Sequence, residues 1–178
     1  MPFRPSRRAW CVTAVLAILL LALGVMAAPI FGQRSNLPDE LLSLANITKV
    51  TLDVNGGALP EEFLEAGVTS EKLTGAITKR LTDAGYQVVD GDARPRLVFT
   101  ALVLTDASVP DTLGFIVFFD VVEDVRLHRL ERDFTLPTST LSAHGVRSRK
   151  LLAEGVMQEL DRTLDRFIEW GKLATQNQ

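Results

Sequence analysis

Apolar and polar residues alternate through the middle of the chain, and the alternation picks out strands. From Leu97 to Thr105, and again from Phe115 to about Leu130, apolar residues recur at every second position, the period of a strand. In the later run Phe115, Val117, Phe119, Val121, Val125 and Leu127 fall on one side, broken only by Glu123. The other side begins apolar, with Ile116, Phe118 and Val122, and turns polar with Asp120, Asp124, Arg126 and His128. The odd positions therefore form the expected core side. Val109-Pro110-Asp111-Thr112 supplies turn residues between the two runs and predicts an antiparallel pair. Ile47 to Val54 alternates Val50, Leu52 and Val54 with Lys49, Thr51 and Asp53, as a half-buried first strand at an edge would. Asp133 to Leu141 is polar and holds Pro137, a residue of edges and bulges. His144-Gly145 is expected to end the pattern. Tyr86 to Val89 reads as a short extended piece.

Helical spacing marks two further stretches. Leu73, Ala76, Ile77, Leu81 and Ala84 make one stripe, with Thr69 placed as N-cap, Val68 able to staple onto Leu73, and Gly85 as the left-handed stop. Leu152, Val156, Leu160, Leu164, Phe167 and Gly171 make a second stripe in a helix from about Arg149 to Leu173. Single turns are expected at Pro38–Ala45 and Pro60–Gly67. The order β-α-β-β-β-α predicts an α+β fold with two layers, a mostly antiparallel four-stranded sheet carrying two helices on one face.

The N-terminus follows neither pattern. Arg4, Arg7 and Arg8 precede a run without charge from Ala9 to Gly32 whose centre is Leu, Ala, Val and Ile. A basic n-region before an apolar h-region is the layout of an export signal, and Val25-Met26-Ala27 suits cleavage after Ala27. The run also reaches the roughly 20 residues that a membrane-spanning helix needs, so an uncleaved anchor over residues 9–32 is the alternative. Ser6-Arg7-Arg8-Ala9-Trp10 resembles part of a twin-arginine signal. Either route leads out of the cytoplasm, to the periplasm, the medium or the outer side of the inner membrane. The organisation expected is signal or anchor over 1–27, linker over 28–46, one α+β domain over 47–173 and a frayed tail over 174–178.

Cys11, the single cysteine, is preceded by Arg8-Ala9-Trp10 rather than a lipobox, so a lipid anchor is not expected. Beyond residue 27 the chain has no thiol and therefore no disulfide framework. Sixteen bases face twenty-two acids there, a net charge of −6, which argues against nucleic acid or an anionic membrane surface as partner.

Few side chains carry chemistry. Ser142 and His144 could pair as nucleophile and base, but no nucleophile elbow or third group accompanies them. Asp120 and Asp124 share a face with Glu123 beside them, yet a hard cation wants more oxygen ligands and a wrapping loop. Cross-strand pairing with Arg126, Arg129 or Arg132 is the simpler expectation. Asp53-x-Asn55-x-Gly57 is a fragment of a calcium loop without its later glutamate, and reads as a turn. Arg147, Arg149 and Lys150 oppose a helix dipole if they open the last helix, and are unremarkable if that helix starts a residue or two later. No catalytic residue, metal or cofactor is expected, and the chain is expected not to be an enzyme.

What stands out is the second face of the sheet. Two helices cover one face, leaving Val98, Leu102, Leu104, Ile116, Phe118 and Val122 on the other. Uncovered, these would form a patch of the several hundred Å² that marks interaction sites. Residues 29–46 or the Pro60 segment could instead fold over it.

Three stretches, Gly67-Val68-Thr69-Ser70-Glu71-Lys72-Leu73, Lys79 to Val88 and Pro95-Arg96-Leu97-Val98-Phe99, resemble a widespread family of small exported bacterial proteins of unassigned function. Arg132, Thr138-Ser139-Thr140 and Phe167 fill later places in that family's pattern, over about residues 45–170, although the tryptophan often found in its Ser/Thr strand is absent. The element order is also similar to envelope domains such as the N-terminal domain of TolB and LptE-type assembly lipoproteins. The resemblance implies a fold and a place at the cell envelope, and no chemistry. The resulting expectation is a non-enzymatic exported protein that binds an envelope protein, or itself, through the apolar sheet face or an edge strand. The alternatives are a small-ligand or lipid carrier and a hydrolase built on Ser142 and His144.

Overall fold

The computed structural model describes residues 37–54, 58–92 and 94–178. The signal or anchor, the first part of the expected linker and the Asn55-Gly56-Gly57 turn lie outside the described residues. Residues 37–178 fold as one unit. Its elements are α1 (Asp39–Leu42), β1 (Lys49–Asp53), α2 (Glu61–Glu65), α3 (Ser70–Asp83), β2 (Gln87–Val89), β3 (Arg96–Thr105), β4 (Thr112–Leu127), β5 (Arg132–Ser148) and α4 (Leu152–Gln176).

The sheet has five strands in the order β2-β1-β3-β4-β5. This corrects the expected four, because the extended piece after Gly85 is long enough to pair. β1 runs parallel to both β2 and β3, and so lies inside the sheet and not at its edge. β3, β4 and β5 form the antiparallel meander, with Phe99 opposite Phe119 and Phe119 opposite Leu141. The sheet is therefore mixed, parallel on one side of β3 and antiparallel on the other.

The odd positions of the meander form the core side: Leu97, Phe99, Phe115, Val117, Phe119, Val121 and Leu141 are buried. Both predicted helices lie on that side. α3 begins where Thr69 caps it, its hydroxyl accepting from the Lys72 amide at 3.3 Å. It buries Leu73, Ile77 and Leu81 and ends before Gly85, whose φ of +95° needs no Cβ. α4 buries Leu152, Val156, Leu160, Leu164 and Phe167, and the Phe167 ring meets Phe119 edge-on at 5.8 Å. α4 starts at Leu152, after a 3-10 turn at Arg149–Leu151, and Arg147 belongs to β5, so no cation opposes its dipole in the first helical turn. It runs on through Gln176. The tail expected to fray is tied down there, the Asn46 amide donating to Thr175 Oγ1 at 2.9 Å.

Two more short helices join the same layer. α1 lies in the segment expected to be linker, and Leu44 just after it is buried in the core. α2 carries Phe63, whose ring stands edge-on to Phe115 at 6.4 Å. Four helices, not two, thus pack on the odd face.

β5 also runs past the expected break. Gly145 sits opposite Phe115 on the core face, and a Cβ there would lie 2.7 Å from Phe115 Cζ. Glycine lets the ring lie across the strand, so here it continues the strand. Pro137 marks both of the features expected of it. β5 is an edge strand, and the register shifts beside Pro137: Val121 faces Ser139 while Val122 faces Pro137, leaving Thr138 as the extra residue of a bulge. Beyond the bulge β4 and β5 continue as a two-stranded arm, because β3 pairs with β4 only as far as Val122.

Candidate interaction surface

The even face of the meander is built in rows across the strands. Leu104, Gly114 and Val146 form the outermost row, then Leu102, Ile116 and His144, then Thr100, Phe118 and Ser142, then Val98, Asp120 and Thr140. Leu102 is 50% exposed, Leu104 59% and Val146 64%, whereas Val98, Ile116, Phe118 and Val122 are half-buried. With its half-buried members the patch reaches on the order of several hundred Å². The described parts of the two segments that could have folded over this face go elsewhere: Leu44 and Phe63 are both in the core beneath the opposite face, and residues 29–36 lie outside the described residues. Among the described residues all four helices lie on the other side.

Val146 was missed by sequence reasoning because the glycine at 145 reads as a strand end. Its signal was present nonetheless, since Val146 keeps the parity of His144 and Ser142. Gly114 shapes the same row, a Cβ there meeting Leu104 Cβ at 3.4 Å.

Charge closes the face at its other end. Arg96, opposite Val122, comes to 4.0 Å from Asp53 and 3.9 Å from Asp92, and Arg94 lies 3.7 Å from Asp124. The acids of β4 find threonine partners on β5, not the arginines expected. Thr140 donates to Asp120 at 2.6 Å, Thr138 to Glu123 at 2.7 Å and Thr135 to Asp124 at 2.8 Å. Arg126 pairs instead with Asp133, at 3.3 Å. A threonine opposite an acid gives the carboxylate a hydrogen bond and fixes register; Asp124 also meets Arg94, whereas Asp120 has no ion pair among the described residues. Among the described residues no group of His, Cys, Asp and Glu is placed to hold a metal ion.

Ser142 and His144 lie two apart on β5, both exposed, and among the described residues no hydrogen bond joins them. They border a cleft of about 480 Å³ between β5 and α4, whose helix side carries Glu159, Arg162, Asp165 and Arg166. The charges there answer one another: Arg162 bonds Glu159 at 2.7 Å, and Arg80 pairs with Asp165, which raises the Arg80 pKa above its ordinary value. Arg166 donates to the Ser142 carbonyl at 2.8 Å. A second cleft along β5, of about 480 Å³, is lined by Glu40, Leu41, Pro137 to Thr140 and Trp170. Among the described residues no helix is long and apolar enough to cross a membrane.

No family model and no curated protein matches the chain. Two solved structures are similar to it in part. One is a minor lipoprotein from Acinetobacter baumannii, 19% identical, covering 74% of this chain and 88% of that one with a TM-score of 0.31. The other is the rare lipoprotein B from Shewanella oneidensis, 18% identical, covering 72% of this chain and 91% of that one with a TM-score of 0.24.

Proposed function

We propose that this chain is a non-enzymatic exported protein of the cell envelope that binds another protein through the even face of its β3-β4-β5 meander. One observation carries the reading: the apolar side chains of Leu102, Leu104 and Val146 stand in water, and among the described residues the segments that could cover them pack on the opposite face. Burying exposed apolar side chains is favourable by roughly 25 cal/mol per Å², so a patch of this size gains several kcal/mol when a partner covers it. The acidic margin at Asp120 gives an incoming partner orientation. The basic leader and apolar run support export of the domain from the cytoplasm. Ser142 and His144 serve as face and edge residues of β5 in this reading, and among the described residues no hydrogen bond orients the histidine.

The test is a Leu102→Asp/Leu104→Asp protein. Both side chains are at least half exposed, so the fold should survive with stability changed by no more than about 0.5 kcal/mol. The variant should retain its circular dichroism and lose at least tenfold in affinity for whatever the parent binds in envelope fractions. A folded variant that binds as the parent does would remove this face from the account.

A further inference from the structure

The sheet ends in β5, a strand of seventeen residues, and an edge of that length ordinarily invites a further strand. Three of its outward carbonyls already hold side-chain donors. Ser43 Oγ donates to the Thr138 carbonyl at 3.2 Å, Arg166 to the Ser142 carbonyl at 2.8 Å and Arg147 to the Val146 carbonyl at 2.9 Å. These three acceptors stand four residues apart along the edge. The carbonyls of Thr140 and His144 fall between them, each flanked on both sides by an occupied neighbour. Pro137 removes an amide from the same strand, and the Thr138 bulge disturbs the ladder beside it.

The two arginines are held in place by α4. Arg166 also bonds Thr163 Oγ1 at 3.3 Å. Arg147 bonds Gln158 Oε1 at 3.3 Å and lies across Gly155, where a Cβ would come within 2.6 Å of Arg147 Cγ. Glycine at 155 is thus the seat over which Arg147 reaches the edge.

We infer that β5 is a guarded edge between Thr138 and Val146: Ser43, Arg147 and Arg166 occupy every second outward carbonyl there and so bar a second copy of this chain from adding its own β5 alongside. The closure holds whether or not the even face binds a partner. An incoming strand must displace these side chains before it can make its own hydrogen bonds, so each one removed frees one interchain bond and raises self-association on the order of tenfold.

The experiment is sedimentation velocity on Arg147→Met/Arg166→Met, which keeps both aliphatic stems and deletes both donors. It is run in the Leu102→Asp/Leu104→Asp background, so that association through the even face cannot be mistaken for association through the edge. The variant should associate more tightly than its background by well over tenfold, with the amides of Thr140 and His144 gaining protection from hydrogen exchange in the associated form. Arg147→Lys/Arg166→Lys, which restores donors, should sediment like the background. A folded Met variant with the background's mass at every concentration overturns the inference, as does association without protection of β5. If the double Met variant unfolds, Arg166→Met alone is read by the same two outcomes at smaller amplitude.

Discussion

Replacing Gly145 with alanine tests the packing that carries β5 past its apparent end. In an ordinary strand the change should help, because glycine interior to a strand costs about 0.5–1 kcal/mol relative to alanine. Here the added Cβ would stand 2.7 Å from Phe115 Cζ and 2.8 Å from Cε1, against the 3.5–4.0 Å at which carbon atoms rest. The ring cannot retreat freely. Phe115 is 1% exposed and Phe63 stands edge-on behind it. Overpacking of this kind costs roughly 1–3 kcal/mol. Set against the backbone gain, Gly145→Ala should be destabilised by on the order of 1 kcal/mol. Urea unfolding followed by circular dichroism would show this as a lowered midpoint at unchanged slope. In a Phe115→Leu background the obstruction is gone, and the same alanine should become neutral or stabilising, a coupling of about 1 kcal/mol or more between the two sites. A Gly145→Ala protein as stable as the parent, or more so, would refute the close approach.

Two further expectations follow from local chemistry. Thr69→Ala removes the hydroxyl that caps α3 and should cost about 1 kcal/mol by thermal or urea unfolding, with Thr69→Ser recovering most of it. Tyr86 packs against Phe167 at 5.4 Å, and burial raises its phenol pKa. The folded value lies above the unfolded value near 10, so this contribution to stability is fully present below about pH 10 and is lost as pH rises through the folded value. Unfolding measured from pH 9 upward should show that decline, and Tyr86→Phe should flatten it.

Much of the architecture was legible because burial is periodic. The alternation in β3 and β4 identified their core face, and the stripes from Leu73 and Leu152 identified both long helices. What the pattern could not express was direction and partner. Val50 and Leu52 declare a buried side, but nothing in an alternating run states that both of its neighbours will be parallel to it. β2 is only Gln87–Val89, too short for periodicity to register. Gly145 misled for a physical reason: glycine usually ends a strand, and here it makes room for a ring contributed by another strand, a fact that lies thirty residues away in the sequence. The acids of β4 misled in a similar way. Opposite charges were available in Arg126, Arg129 and Arg132, but register placed Thr135, Thr138 and Thr140 beside the carboxylates instead.

The candidate surface was legible as a parity argument and incomplete for the same reason. Val98, Leu102, Leu104, Ile116, Phe118 and Val122 lie on one face as their spacing requires, but their exposure is uneven. The outer row, Leu104 with Val146, is the most exposed, whereas Phe118 is half-buried among its neighbours. Binding energy in such patches concentrates in a few side chains, and exposure points to Leu102, Leu104 and Val146 as the ones a partner would cover.

The most direct test of the account is crosslinking in the living cell. A photoreactive residue placed in turn at Leu102, Leu104 and Val146 samples the even face, and one at Thr74 or Gln158 samples exposed positions on the helices. The account predicts one discrete protein adduct shared by the three sheet positions and absent from the two helix positions. Adducts formed equally from both sides, or only from the helices, would contradict it.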